Sequence, residues 1–162
     1  MKISEIITNW IAETDIKMFE MAYERKDAKR KVTDLSPQII QHLIKLFVLN
    51  SPNTHSHWIR EINSWLFVID DIMLKQSKKK LEFETTYNWI VYDSAPIYNA
   101  EYVDKIVARL TADTYQNIDA HDYDADLVIN EILKIIWQVC KDIESNKFKT
   151  VANYLPTKGK IQ

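Results

Sequence analysis

The four histidines are the residues whose chemistry and spacing come nearest to a metal site. His57 and Glu61 are four residues apart at the start of a predicted helix, so they lie on one helical face. An imidazole and a carboxylate in this arrangement can bind a divalent cation. His42 lies on the preceding predicted helix, while His55 and His121 are further candidate ligands. One alternative function is therefore a metal-dependent hydrolase on a helical scaffold.

The acidic and histidine residues also fall short of known metal-site patterns. A closed zinc site needs four ligands, and the Glu-x-x-His pairs of di-metal helical bundles do not occur in the chain. Asp122, Asp124 and Asp126 match the first ligand positions of a calcium loop. Leu127 and Leu133 stand where that loop requires Gly and Glu. Because carboxylates before a helix stabilise its positive end, we expect Asp124 or Asp126 to act as a helix cap. We predict that the protein binds no metal and no cofactor.

Glycine is almost missing: Gly159 is the only one in 162 residues, where average usage would give about eleven. Phosphate-binding loops and nucleophile elbows rely on backbone positions that glycine serves best. Cys140 is the single cysteine and falls on the apolar side of a predicted helix, where a thiol ionises poorly. The composition favours a protein without catalytic residues.

Two runs of basic residues form a candidate anion-binding patch. The first run closes one predicted helix and the second closes another: Arg25, Lys26, Lys29, Arg30 and Lys31, then Lys75, Lys78, Lys79 and Lys80. If these helices run parallel, both runs lie at one end of the bundle and can hold phosphates or an acidic partner. A phosphate- or nucleic-acid-binding accessory protein is thus a second alternative. The net charge of −2 and the lack of aromatic residues within the runs argue against nucleic acid.

Aromatic residues are plentiful, with five tryptophans and eight tyrosines. Trp10, Trp58, Trp65 and Trp137 fall on apolar helical stripes, so we expect them to pack inside. The segment 83–98 is flanked by turn residues and carries five rings: Phe83, Tyr87, Trp89, Tyr92 and Tyr98. Interface hot spots are rich in such side chains. We predict that these five residues form part of a partner-binding surface.

The elements that position these residues are read from helical periodicity. An amphipathic helix is predicted over 3–30, with a stripe of Ile3, Ile6, Ile7, Trp10, Ile11, Thr14, Met18 and Met21. Residues 33–35 are a predicted break, because Ser36-Pro37 is a typical helix start with a serine cap and a proline in the first position. The helix that follows, 37–49, is apolar on nearly every face and belongs near the centre of a bundle.

The remaining segments are also predicted to be helical. Helices are expected over 55–77, over 100–115 after an Asn99 cap, and over 125–147. Residues 81–92 alternate as a strand does, but no second strand-like run is available for pairing, so we assign a helix. The predicted fold class is all-α. It is a compact single-domain bundle of five or six helices over 1–155, followed by a flexible tail at 156–162.

The function expected from these observations is that of a non-catalytic helical protein-interaction module. Its predicted partner is another protein or a second copy of itself, which includes homo-oligomers. No apolar run is long enough for a membrane span, and the single cysteine and charged amino terminus favour the cytoplasm. Adaptors, inhibitors and immunity-type accessory proteins of bacteria or phages share this character, by analogy alone.

Overall fold

Six helices and one pair of short strands build the described part of the chain. The computed structural model describes residues 2–76, 80–112 and 118–156, with the backbone alone for 11–23 and 52. The α-helices are α1 Ile3–Val48, α2 Pro52–Leu74, α3 Phe83–Val91, α4 Ala100–Thr111 and α5 Ala125–Glu144, followed by a 3-10 helix, Val151–Tyr154. The predicted all-α bundle of five or six helices is confirmed. The predicted tail, 156–162, lies outside the described residues except for Pro156.

The carboxyl half of α1 forms the centre of the core. Ile39, Ile40, Leu43 and Ile44 are fully buried there, and α1 contacts α2, α3, α4 and α5. These neighbouring positions point in different directions around the helix axis, so they need partners on several sides. The predicted central position of 37–49 is therefore confirmed.

The predicted break at 33–35 is wrong, because α1 continues through Ser36 and Pro37. Ser36 is buried inside the helix, where its hydroxyl donates 2.7 Å to the Val32 carbonyl instead of capping a new helix. Pro37 has no N–H for the carbonyl four residues before it. Buried Val32 and Ile39 lie seven residues apart on one face of the continuous helix. Packing on both sides of the proline keeps the helix intact.

The two short strands are not predicted from the sequence. Leu49–Asn50 and Asp119–Ala120 pair antiparallel, with Leu49 opposite Ala120 and Asn50 opposite Asp119. Two residues per strand give no measurable periodicity, which explains why they escape sequence analysis. The helical assignment for 81–92 is confirmed by α3.

Two predicted helix caps are confirmed. The Asn99 side chain accepts a hydrogen bond of 3.0 Å from the Tyr102 amide at the start of α4. At the start of α5, Asp124 rather than Asp126 is the cap, and it accepts from the amides of Asp126 and Leu127. Both caps satisfy backbone donors that a helix leaves unpaired.

Within the described part of the chain, no helix is long and apolar enough to span a membrane.

Replacing Pro37 with alanine tests the continuity of α1. Alanine restores the missing amide donor and relieves the clash of the proline ring with the preceding turn. We expect the free energy of unfolding to rise by about 2 kcal/mol, after allowance for the greater freedom of the unfolded chain. Urea denaturation of both proteins measures this difference. A loss of stability would instead indicate that Pro37 begins a separate helix, as the local sequence suggests.

Candidate interaction surface

Four aromatic side chains form a continuous surface between α3 and α5, which we call the aromatic patch: Phe83, Tyr87, Tyr92 and Trp137. The Trp137 ring lies edge-on to both Phe83 and Tyr87, with 5.0 Å between ring centroids in each pair. Tyr87 in turn contacts Tyr92 at 6.3 Å. Edge-to-face contacts at these distances are favourable for aromatic pairs. The four rings therefore form one connected cluster.

Helix geometry explains how α3 presents its part of the patch. Phe83 and Tyr87 are one helical turn apart, so their side chains lie on the same face. The backbone amide of Phe83 donates 2.7 Å to a Glu144 carboxylate oxygen at the end of α5. This bond satisfies one of the free amides of the α3 amino terminus and joins it to α5. The patch thus spans two helices that are fixed together.

The patch is unevenly exposed. Tyr92 is 71% exposed and Trp137 41%, whereas Phe83 and Tyr87 are half-buried beneath them. Burial, with smaller effects of Tyr92 and Cys140, raises the pKa of Tyr87, so its hydroxyl stays protonated at neutral pH. The exposed rings of Tyr92 and Trp137 thus pack against the partly buried rings of Phe83 and Tyr87.

The structure separates the five residues that the sequence assigns to a partner surface. Phe83, Tyr87 and Tyr92 belong to the aromatic patch. Trp89 lies on the buried face of α3, with the Arg25 guanidinium 5.5 Å from its ring centroid. Tyr98 is also buried, close to Ser94, and burial raises its pKa to about 12. The prediction of a partner surface on 83–98 consequently depends on the first three residues.

The expectation that four tryptophans pack inside is wrong for two of them. Trp58 is buried and Trp65 is half-buried, but Trp137 is exposed and Trp10 is 66% exposed. On α5, Ile136 is buried, and the next residue is rotated by about 100° around the helix axis. Trp137 therefore falls at the edge of the apolar stripe. That offset is a sequence signal for partial exposure, but it does not show which residues Trp137 contacts.

The predicted histidine cluster partly assembles around one carboxylate. One Glu61 oxygen lies 2.9 Å from His57 Nε2, and the other contacts His42 Nε2. His42 Nδ1 is 3.0 Å from the Gln38 carbonyl, and the imidazole packs edge-on against Trp65. Burial and the nearby Lys45 lower the pKa of His42, against an opposing effect of Glu61. The carboxylate lies between the two rings as a hydrogen-bond partner.

The other candidate ligands lie apart from this cluster. His55 Nε2 is 3.3 Å from the Leu49 carbonyl, and His121 Nδ1 is 2.9 Å from the Asp122 carbonyl. In the part of the chain that the structure describes, no group of three or more His, Cys, Asp or Glu residues is arranged to hold a metal ion. Cys140 is buried, which raises the pKa of its thiol to about 12. The thiol stays protonated at neutral pH.

The first basic run lies in the middle of α1 rather than at a helix end, which corrects the predicted placement. Lys29 pairs with Asp93 at 3.3 Å, and both Arg30 and Lys31 pair with Asp27. The two cations next to Asp27 lower its pKa. An open groove of about 510 Å³ runs here, lined by Lys26, Asp27, Lys29, Arg30, Thr33 and Asp93. Its charges are mixed, so it offers less to an anion than the sequence suggests.

The second run is described only in part. Lys75 pairs with Asp71 at 2.6 Å and Lys80 is exposed, while Lys78 and Lys79 lie outside the described residues. The predicted joint patch requires parallel helices. α1 and α2 are antiparallel neighbours, but the first run lies in the middle of α1 and not at its end. The joint patch therefore stays a prediction.

Comparisons with known proteins give no relative from which a role could be transferred: no family model, no curated protein and no solved structure matches the chain.

Truncating Trp89 tests whether this ring belongs to the core or to the surface. We expect Trp89→Ala to lower the free energy of unfolding by about 3–5 kcal/mol, as for other buried aromatic residues. Chemical denaturation followed by the helical circular dichroism signal measures the loss. Tyr92→Ala, at an exposed position, is the matched control and is expected to stay within about 1 kcal/mol of the wild type. Equal stability of all three proteins would contradict the burial of Trp89.

Proposed function

We propose that this protein is a non-catalytic helical module that binds another protein through the aromatic patch. The observation that carries the proposal is the exposure of Tyr92 and Trp137 on top of a fixed aromatic cluster. Adaptors, inhibitors and immunity-type accessory proteins of bacteria or phages are the classes that we consider, from the small helical fold alone.

The physical basis of the proposal is the energy gained by covering rings that are already ordered. Tyr and Trp dominate interface hot spots because they bury a large area at a small entropic cost. Trp137 and Tyr87 are held by ring contacts, so binding does not have to fix their rotamers. A partner that covers Tyr92 and Trp137 removes much of their apolar surface from water.

The surroundings of the patch fit a protein partner. Exposed polar residues border it on both helices: Asn88 on α3, and Lys134, Gln138 and Lys141 on α5. A polar rim around an apolar centre is the usual arrangement of a protein interface. Both signs of charge occur nearby, since Glu84 is also exposed. These features favour a folded protein surface over a polyanion.

The test begins with the capture of a partner from a lysate of the source organism. The wild type, Tyr92→Ala/Trp137→Ala and Leu127→Ala are used as baits under identical conditions. Leu127 is a matched control, because it is exposed on α5 about as much as Trp137 and lies about 15 Å away along the helix. A patch-dependent partner is then purified, and its affinity is measured by isothermal titration calorimetry.

We expect the wild type and Leu127→Ala to bind the purified partner equally. The double variant should lose at least about 30-fold in affinity, because hot-spot residues contribute about 2 kcal/mol or more. Its urea denaturation must remain close to that of the wild type for the comparison to count. If no partner depends on the patch, or if the double variant binds as tightly as the wild type, the proposal is wrong.

A further inference from the structure

His42 has both of its ring nitrogens in contact with hydrogen-bond acceptors. Its Nδ1 lies 3.0 Å from the Gln38 carbonyl oxygen, one turn earlier on α1, and its Nε2 contacts a Glu61 carboxylate oxygen on α2. In the described part of the chain, the other three histidines each have one such contact: His57 with Glu61, His55 with Leu49 and His121 with Asp122. The surroundings of His42 therefore place a stricter requirement on its protonation.

A neutral imidazole satisfies only one of these two contacts. A carbonyl oxygen and a carboxylate oxygen both accept hydrogen bonds, whereas a neutral histidine has one N–H donor and one acceptor lone pair. In either neutral form, the lone pair of the ring faces an oxygen atom. The imidazolium donates from both nitrogens. A carboxylic acid loses its proton at a much lower pH than an imidazolium does, so the second proton belongs to His42 rather than to Glu61.

We propose that His42, Glu61 and His57 form a pH-sensitive link between α1 and α2, which closes when His42 is protonated and opens when the proton is lost. In the closed link Glu61 accepts hydrogen bonds from two imidazoles. One oxygen accepts from His42 across the helix interface, and the other lies 2.9 Å from His57 Nε2, one turn earlier on α2. Hydrogen bonds between two charged groups are stronger than those between neutral ones. Loss of the His42 proton therefore weakens the link.

The charged groups around His42 determine the pH at which the link closes. Burial and Lys45 lower the pKa of His42, whereas Glu61 and the Gln38 carbonyl raise it. Arg109 of α4 adds a second positive charge near Lys45 and donates 3.0 Å to Gln41. The net effect lowers the pKa of His42 below its ordinary value of 6.5. Mild acidification from neutral pH therefore protonates the ring and closes the link.

Protonation of His42 has opposite effects on the stability of the fold and on the link. Relative to the unfolded chain, the pKa of His42 is lowered in the fold, so protonation lowers the free energy of unfolding. This loss is absent well above pH 6.5 and grows as the pH falls toward the folded-state pKa. Relative to a folded bundle in which Glu61 has moved away, the closed link gives His42 the higher pKa, because the carboxylate favours the imidazolium. Acid therefore closes the link although it does not stabilise the fold.

An NMR titration of the histidine rings measures the effect of Glu61 on His42. In Glu61→Gln we expect the pKa of His42 to fall by at least about one unit below that of the wild type, which makes closing of the link about tenfold more favourable in acid. Asp71→Asn is the matched control, because it removes a carboxylate from the same helix about 15 Å away and should leave the pKa of His42 unchanged. An equal pKa of His42 in Glu61→Gln and in the wild type overturns the proposal.

The wild type alone provides a second test, which does not depend on the folding of a variant. Nuclear Overhauser contacts between the His42 ring protons and the Glu61 side chain are measured below and above the pKa of His42. We expect these contacts to be strong in the protonated state and to weaken once the proton is lost. The contact of His42 with the Trp65 ring, 4.7 Å between centroids, should persist in both states and is the internal control. Equal contacts between His42 and Glu61 in both states show that the link does not open, and contradict the proposal.

Discussion

The carboxyl half of α1 is apolar on nearly every side, and this constraint determines how the other helices are arranged. Ile39, Ile40, Leu43 and Ile44 lose all contact with water only when neighbours enclose the helix. α2, α3, α4 and α5 each contact it. Burying one such side chain is worth about 1.5–3 kcal/mol, so enclosing this helix contributes substantially to stability. The exposed apolar side chains are those that the packing around this helix does not cover.

Among the described residues, two of the exposed apolar regions have different origins. α3 and α5 meet over the central helix, and the rings at the outer edge of their contact stay partly in water. Ile3, Ile6, Ile7 and Trp10 are exposed at the start of α1, which begins far before its first buried described residue, Ala28. The patch is thus a product of helix packing, whereas the exposed start of α1 is a product of helix length.

Much of the fold could be predicted from the sequence, because helical periodicity and capping residues are local signals. The stripe of α5, the Asn99 cap and the apolar helix at 37–49 belong to this class. Ser36-Pro37 is the instructive failure. Its local signal for a helix start is strong, but a buried face on each side of it favours one continuous helix. Sequence patterns do not show how large that tertiary contribution is.

The candidate surface was only partly accessible from the sequence, for a related reason. Phe83, Tyr87 and Tyr92 are neighbours along the chain, whereas Trp137 reaches them only through the packing of α5 on α3. The exposure of a ring at the edge of a stripe depends on how far the next helix extends over it. Trp89 and Trp137 show this. Both have apolar neighbours in the sequence, but Trp89 is buried and Trp137 is exposed.

The length of α1 also affects how the molecule moves through solution. A helix of 46 residues extends about 69 Å, whereas a compact chain of this size has a radius of gyration of about 15 Å. A body with such a rod has more friction than a sphere of equal mass. It diffuses slowly and leaves a sizing column early, so elution volume reports its shape as much as its number of chains.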